Sequence, residues 1–130
     1  MRQSSRILLV DDHPGVRRMI CSLLQEAGYQ QIDEAAEAQG ALKLLETKPY
    51  DLVLIDAELP GISGIDLLKV IRGDARTQML PVLLVTAQAG REQMIEAAKA
   101  GLNGYILKPF GVEDLKARIG RIQTRLATAA

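Results

Sequence analysis

Leu52-Val53-Leu54-Ile55-Asp56 is an unbroken apolar run that stops at a carboxylate. No polar residue alternates within it, so it reads as a strand whose two faces are both covered by helices. The same pattern recurs along the chain. Ile7-Leu8-Leu9-Val10 stops at Asp11-Asp12, Val82-Leu83-Leu84-Val85 at Thr86, and Tyr105-Ile106-Leu107 at Lys108. A weaker strand fits Gln31 to Ala35. Between these runs, apolar residues fall at helical spacing. Val16, Met19, Ile20, Leu23 and Leu24 mark one helix face; Leu42, Leu44 and Leu45 a second; Ile65, Leu67, Leu68 and Ile71 a third. Met94, Ile95, Ala97 and Ala98 mark a fourth, and Leu115, Ile119, Ile122 and Leu126 a fifth.

The punctuation agrees with this division. Pro14 suits the first turn of the first helix, and Gly28 and Gly101 the C-terminal caps of the first and fourth. Pro49 ends the second helix, and Pro60-Gly61 makes a turn before the third. In the last helix, Glu113 and Asp114 near the start and Arg121 and Arg125 toward the end match the macrodipole. Strict alternation of five strands and five helices predicts an α/β fold, and right-handed crossovers leave few topologies for it. The expected one is a flavodoxin-like (βα)5 doubly wound parallel sheet with strand order 2-1-3-4-5. Residues 1–130 then form a single domain, with residues 127–130 expected to fray.

Lys plus Arg and Asp plus Glu each number 16, so there is no basic excess of the kind nucleic-acid binding needs. No apolar stretch is long enough to span a bilayer, and no signal-peptide pattern follows Met1. The expectation is a cytoplasmic protein with neither nucleic-acid nor membrane partners. Cys21 is the only cysteine, which rules out an intrachain disulfide and reads as a thiol at the edge of the core.

In a parallel sheet all carboxyl ends lie on one edge, where open α/β folds bind ligands. The predicted order makes strands 1, 3, 4 and 5 neighbours, which would set Asp11, Asp56, Thr86 and Lys108 in a row. Asp11, Asp12 and Asp56 repel one another, and Lys108 offsets only one charge. The remainder suits a divalent, oxygen-preferring ion: Mg²⁺, with Mn²⁺ as a substitute. There is no His or Cys cluster for zinc, and His13, the single histidine, reads as a partly exposed loop residue. A carboxylate beside Mg²⁺ and a lysine can attack phosphorus to form an aspartyl phosphate, with Thr86 and Lys108 on the phosphoryl oxygens. A serine–histidine pairing and a glycine-rich phosphate loop are both absent, which weakens hydrolase and dinucleotide readings. Each residue also has a plainer role: Asp12 as helix N-cap, Asp56 as a turn residue, Thr86 as cap of the fourth helix, Lys108 as a solvated charge. That all four sites end neighbouring strands favours shared chemistry.

The residues so assembled resemble the receiver domain of bacterial two-component response regulators, and its single-domain chemotaxis members most. The matching pieces are Ile7 to Asp12, Asp56 with Leu59-Pro60-Gly61 and Gly64, Val85-Thr86-Ala87, and Gly104-Tyr105-Ile106-Leu107-Lys108-Pro109-Phe110. The resemblance implies that Asp56 accepts a phosphoryl group from the phosphohistidine of a sensor histidine kinase or a histidine phosphotransfer protein. It implies Mg²⁺ held by Asp12, Asp56 and the Glu58 backbone carbonyl, with Asp11 assisting through water. Thr86 and Lys108 would hold the phosphoryl oxygens, supported by Ala87 and by a cis peptide at Lys108-Pro109. Thr86 and Tyr105 would be the switch residues, changing the face of the fourth helix, fifth strand and fifth helix toward a downstream protein. Phe110 is expected in the core. The family resemblance is compatible with a monomer or a weak phosphorylation-dependent dimer, and with self-catalysed phosphorylation and dephosphorylation but no conventional enzyme activity.

Two features call for separate reading. Arg17 and Arg18 lie early in the first helix, where the dipole disfavours cations, so they either modulate the site or balance its acidic rim. Glu58 stands where the chemotaxis members carry asparagine, and the extra carboxylate is expected to alter the lifetime of the phosphorylated state. Two rivals are a haloacid-dehalogenase-type phosphatase, for which Glu58 is an imperfect second acid, and the receiver part of a longer DNA-binding regulator or hybrid kinase.

Overall fold

The computed structural model describes residues 4–88 and 90–129, with side chains through residue 126. Its strands are β1 (Arg6–Val10), β2 (Gln31–Ala35), β3 (Leu52–Asp56), β4 (Val82–Thr86) and β5 (Gly104–Leu107). The helices between and after them are α1 (Pro14–Glu26), α2 (Ala38–Thr47), α3 (Gly64–Gly73), α4 (Arg91–Lys99) and α5 (Val112–Ala129). All strand pairs are parallel, in the order β2-β1-β3-β4-β5. This is the order expected from the alternation.

The uniform apolarity of the central strands has a direct cause. Leu8, Val10, Val53, Ile55, Val82 and Leu84 enter one core with residues of α2, α3 and α4, while Ile7, Leu9, Leu52, Leu54, Leu83 and Val85 enter a second with α1 and α5. Successive side chains point to opposite faces, and both faces are dry.

Several helix details differ from expectation. Ile20 and Leu24 of α1 are buried, but Met19 is 43% exposed, so the inward stripe is narrower than the periodicity implied. Leu126 is 37% exposed for the same reason. In α2 the buried contacts are Ala38 and Ala41, small residues that bring the helix close to the sheet, and its leucines are only partly buried. Because α5 continues to Ala129, Arg125 does not fall in its last turn, and the macrodipole argument holds only at its acidic start. Of the tail expected to fray, the backbone to Ala129 belongs to α5; Ala130 lies outside the described residues.

Gly28 and Gly101 end α1 and α4 in left-handed conformations, φ 103° and 92°. In each case the glycine N–H and the next N–H turn back to the last helical carbonyls, as in a Schellman cap: Gly28 to Gln25, Tyr29 to Leu24, Gly101 to Ala98, Leu102 to Ala97. Beyond the strand ends the ladder persists for one bond. Asp11 N–H reaches Ala35, Ala57 N–H reaches Val85, and Lys108 N–H reaches Thr86, at 3.1, 2.8 and 2.8 Å. These bonds fix the loops that carry the site.

Candidate functional site

At the carboxyl rim, Asp56 and Thr86 are the last residues of β3 and β4, and Asp11 and Lys108 the first after β1 and β5. Oxygens of Asp11, Asp12 and Asp56 all lie within 4.8 Å of one another. Asp11 and Asp56 are buried, at 1% and 6% exposure, while Asp12 faces solvent. Lys108 does not merely end the row. Its long side chain reaches back over β4 to put Nζ 3.5 Å from Asp11 Oδ2 and 3.6 Å from Asp56 Oδ1.

One oxygen of each buried carboxylate is held by the backbone. His13 N–H donates to Asp11 Oδ1 at 2.8 Å, and Glu58 N–H to Asp56 Oδ1 at 3.1 Å. Asp11 Oδ2 is buried without a hydrogen-bond donor among the described residues. Burial pushes the Asp11 carboxyl above its ordinary range; the His13 N–H and Lys108 pull it down, and Asp56 pushes it up again. The orphaned oxygen, an all-oxygen donor set and three clustered acids fit a hard divalent cation.

The plainer roles resolve individually. Asp12 is not the N-cap of α1: His13 Nδ1 accepts from Val16 N–H at 3.1 Å and caps the helix, leaving Asp12 at the rim. His13, exposed, is outside the acid cluster. Thr86 does not cap α4, whose N-cap is Gly90. Its hydroxyl instead donates to the Gln88 carbonyl at 2.6 Å and accepts from Gln88 N–H at 3.1 Å. Lys108 is not a freely solvated charge.

Arg17 ties the site to its frame. Its guanidinium donates to the Asp11 carbonyl at 2.8 Å and to Glu34 Oε1 at 3.0 Å, bridging the β1–α1 loop to β2. Arg18 is exposed and does not share in this bridge. Glu34 could have been found from the register, since it stands opposite Leu9 in the β1–β2 ladder. Gly64 has a role that spacing alone does not reveal: a Cβ there would run into the Asp56 carbonyl and lie 2.8 Å from Ala57 Cα. The start of α3 therefore packs directly on the backbone that presents Asp56, held also by Gly64 N–H to Ala57 O at 3.0 Å.

The switch candidates lie toward β5. Tyr105 is half-buried against the α2–α3–α4 core, and the Arg118 guanidinium sits 5.4 Å from its ring centroid. Phe110 is buried in the opposite core, as expected. Ala87 and Glu58 are exposed at the rim, and the Lys108–Pro109 peptide is cis. Cys21 packs at the edge of the second core, and burial followed by Glu34 raises its thiol to about 11.

The model of the response regulator receiver domain matches residues 7–120. The chain belongs to this family. It is 45% identical over 126 residues to chemotaxis protein CheY-3 of Vibrio cholerae, covering 97% of each. It is 46% identical to CheY of Pseudomonas aeruginosa, covering 93% of this chain and 98% of that one. Among solved structures, a CheY-like receiver domain protein of Methanospirillum hungatei superposes with a TM-score of 0.86 at 28% identity, covering 97% and 98% of the two chains. The receiver domain of a sensor histidine kinase of P. aeruginosa, which has a magnesium ion coordinated in its active-site cleft, superposes at 0.80 and 29% identity, covering 92% and 98%. The receiver is a phosphorylatable switch of two-component signalling rather than a conventional enzyme. The phosphatase reading is not favoured, because the receiver-domain model spans residues 7–120 and the matched relatives are chemotaxis proteins.

Proposed function

We propose that Asp56 is the phosphoacceptor of this receiver and that the pocket around it catalyses its own phosphorylation. The observation that carries this is the convergence of Asp11, Asp12, Asp56 and the Lys108 ammonium on one rim. The Asp56 oxygen forms its bond to phosphorus as the P–N bond to a donor phosphohistidine breaks, and the departing imidazole takes up a proton. Lys108 already faces both buried carboxylates and would follow the added charge onto a phosphoryl oxygen. Thr86 would exchange its Gln88 bonds for another phosphoryl oxygen. Asp12, Asp56 and the Glu58 carbonyl would hold Mg²⁺, or Mn²⁺ in its place, with Asp11 acting through water. When bound there, the ion would supply charge to offset the acids and a Lewis-acid contact for the transferred group. Arg17 positions Asp11, and Ala87 leaves the rim uncrowded. Pro109 shapes the turn carrying Lys108.

The donor is a sensor histidine kinase or histidine phosphotransfer protein, and the pathway, by relationship to the chemotaxis proteins, is chemotactic signalling in the cytoplasm. Among the described residues, no helix is long and apolar enough to cross a membrane. The output surface is the face of α4, β5 and α5. It holds a cleft of about 230 Å³ whose lining includes Met94, Tyr105, Arg118, Arg121 and Arg125. Such a lining favours a partner segment that presents carboxylates beside apolar side chains. Incubation with Mg²⁺ and acetyl phosphate, followed by intact mass measurement, tests the assignment. The native protein should gain one phosphoryl group and Asp56→Asn none; equal labelling of both would reject Asp56.

A further inference from the structure

Arg72, on the last turn of α3, is a cation without a carboxylate partner among the described residues. Its guanidinium is nonetheless fully used. Nε donates to Gly101 O at 3.1 Å, and one terminal nitrogen donates to Gly101 O at 2.9 Å and to Asn103 Oδ1 at 2.8 Å. The other terminal nitrogen donates to Leu80 O at 2.7 Å and Thr77 O at 3.5 Å. A guanidinium has five N–H donors in a rigid fork, and here five contacts go to neutral oxygens of two separate turns. Asn103 Oδ1 also accepts from Val82 N–H at 2.8 Å, so the clamp reaches the start of β4. A Cβ at Gly101 would lie 3.0 Å from Arg72 Nε; glycine is therefore required there for its left-handed φ and for room.

The two ends of α4 are held very differently. Its C-terminal end is closed by the Gly101 cap, and that cap's carbonyl is gripped twice by Arg72. One turn earlier, Glu96 pairs with Lys69 of α3 at 2.7 Å. Among the described residues its N-terminal end has no side-chain cap, and the helix fully buries only Ala97, with Met94 packed in part against the core, where α3 buries five residues. On the rim side of that end stands Thr86, whose hydroxyl is bound, among the described residues, within its own turn to Gln88. Elements with little buried apolar area are the ones that move.

We infer that Arg72 is a positioning residue that makes α4 a one-ended lever, anchored at Gly101 and free to swing at Arg91. This rests on the reading of Asp56 and Thr86 above. When Thr86 leaves Gln88 for the phosphoryl group, the displacement enters α4 at its loose end. Arg72 keeps it from spreading into the turn that carries Leu102, Asn103 and β5. Met94, on the free half, then moves relative to Tyr105 and the arginines of α5, which are not attached to the lever.

Amide exchange measured by NMR tests this, with the phosphorylated state maintained by excess acetyl phosphate and Mg²⁺ and verified by intact mass. In the native protein, phosphorylation should change exchange at Met94 and Ile95 about tenfold or more. At Ala100, Gly101, Leu102 and Asn103, whose N–H groups bond to Glu96, Ala98, Ala97 and Val82, the change should stay below about twofold. In Arg72→Met the response should spread to those four amides. Arg72→Lys keeps the charge but loses the fork and should spread likewise, which guards against a methionine variant that does not fold. A purely structural role would raise exchange equally with and without phosphorylation. A two-ended response in the native protein, or a one-ended response in both variants, overturns the inference while leaving the phosphoacceptor intact. Absence of the phosphoryl mass gain would overturn the functional reading and the lever with it.

Discussion

Replacing Asp11 by asparagine should make the metal-free protein more stable and weaken its response to Mg²⁺. Carboxylate oxygens within 4.8 Å repel by about 3.5 kcal/mol per charge pair at an effective dielectric near 20. The Lys108 ammonium at 3.5 Å returns about 4.7 kcal/mol on the same scale. Asp12, exposed, adds only about 0.9 kcal/mol of repulsion at the dielectric of water. The pairwise terms therefore nearly cancel, and the desolvation of a carboxylate with an orphaned Oδ2 is left over. An unsatisfied buried polar atom costs about 1–3 kcal/mol. Asparagine keeps an oxygen for the His13 N–H, removes the charge and offers an N–H₂ toward the remaining acids. The expected gain is about 1–2 kcal/mol in urea denaturation with EDTA. Saturating Mg²⁺ at about a hundred times its dissociation constant should add about 2.7 kcal/mol to the native protein and far less to the variant. A variant that is less stable in EDTA, or one that keeps the full Mg²⁺ increment, would refute the reasoning.

Three further outcomes follow from other parts of the molecule. Gly64→Ala drives a Cβ into the Asp56 carbonyl, and such overpacking should destabilise by about 1–3 kcal/mol and slow acetyl phosphate labelling, read by denaturation and by mass. Tyr50→Phe removes the 2.6 Å bond that, first among its causes, holds the Asp33 carboxyl below its ordinary range. Because the folded value is depressed, the stabilisation of about 1–2 kcal/mol is complete above the unfolded value near 3.8 and fades as pH falls through the folded one. Denaturation of both proteins at pH 6 and pH 2.5 should show the gap closing; a constant gap contradicts it. Glu58→Asn removes a carboxylate from the rim and should change the dephosphorylation rate severalfold, toward faster attack by water, so an unchanged decay of the phosphorylated mass rejects a role for Glu58.

Much of this protein was readable from local pattern. An apolar run with no polar alternation needs cover on both faces, and four such runs with one weaker strand, alternating with helical segments, admit few right-handed arrangements; order 2-1-3-4-5 followed, and with it the meeting of Asp11, Asp56, Thr86 and Lys108. Local pattern could not distinguish Asp11 from Asp12, two identical neighbours. Burial depends on where the chain turns after β1, and there His13 caps the helix and gives its N–H to Asp11. Nor could spacing show that Lys108 reaches back across β4, that Thr86 is tied to Gln88, or that Met19 and Leu126 escape the core. Periodicity reports which side of an element is covered, not how far the cover extends. The clamp of Arg72 on Gly101 and Asn103 joins residues about thirty positions apart. Sequence determined which residues end each strand. Only the packing of helices against a twisted sheet decided which of those ends lost their water, and desolvation is what sets the charge balance of the pocket.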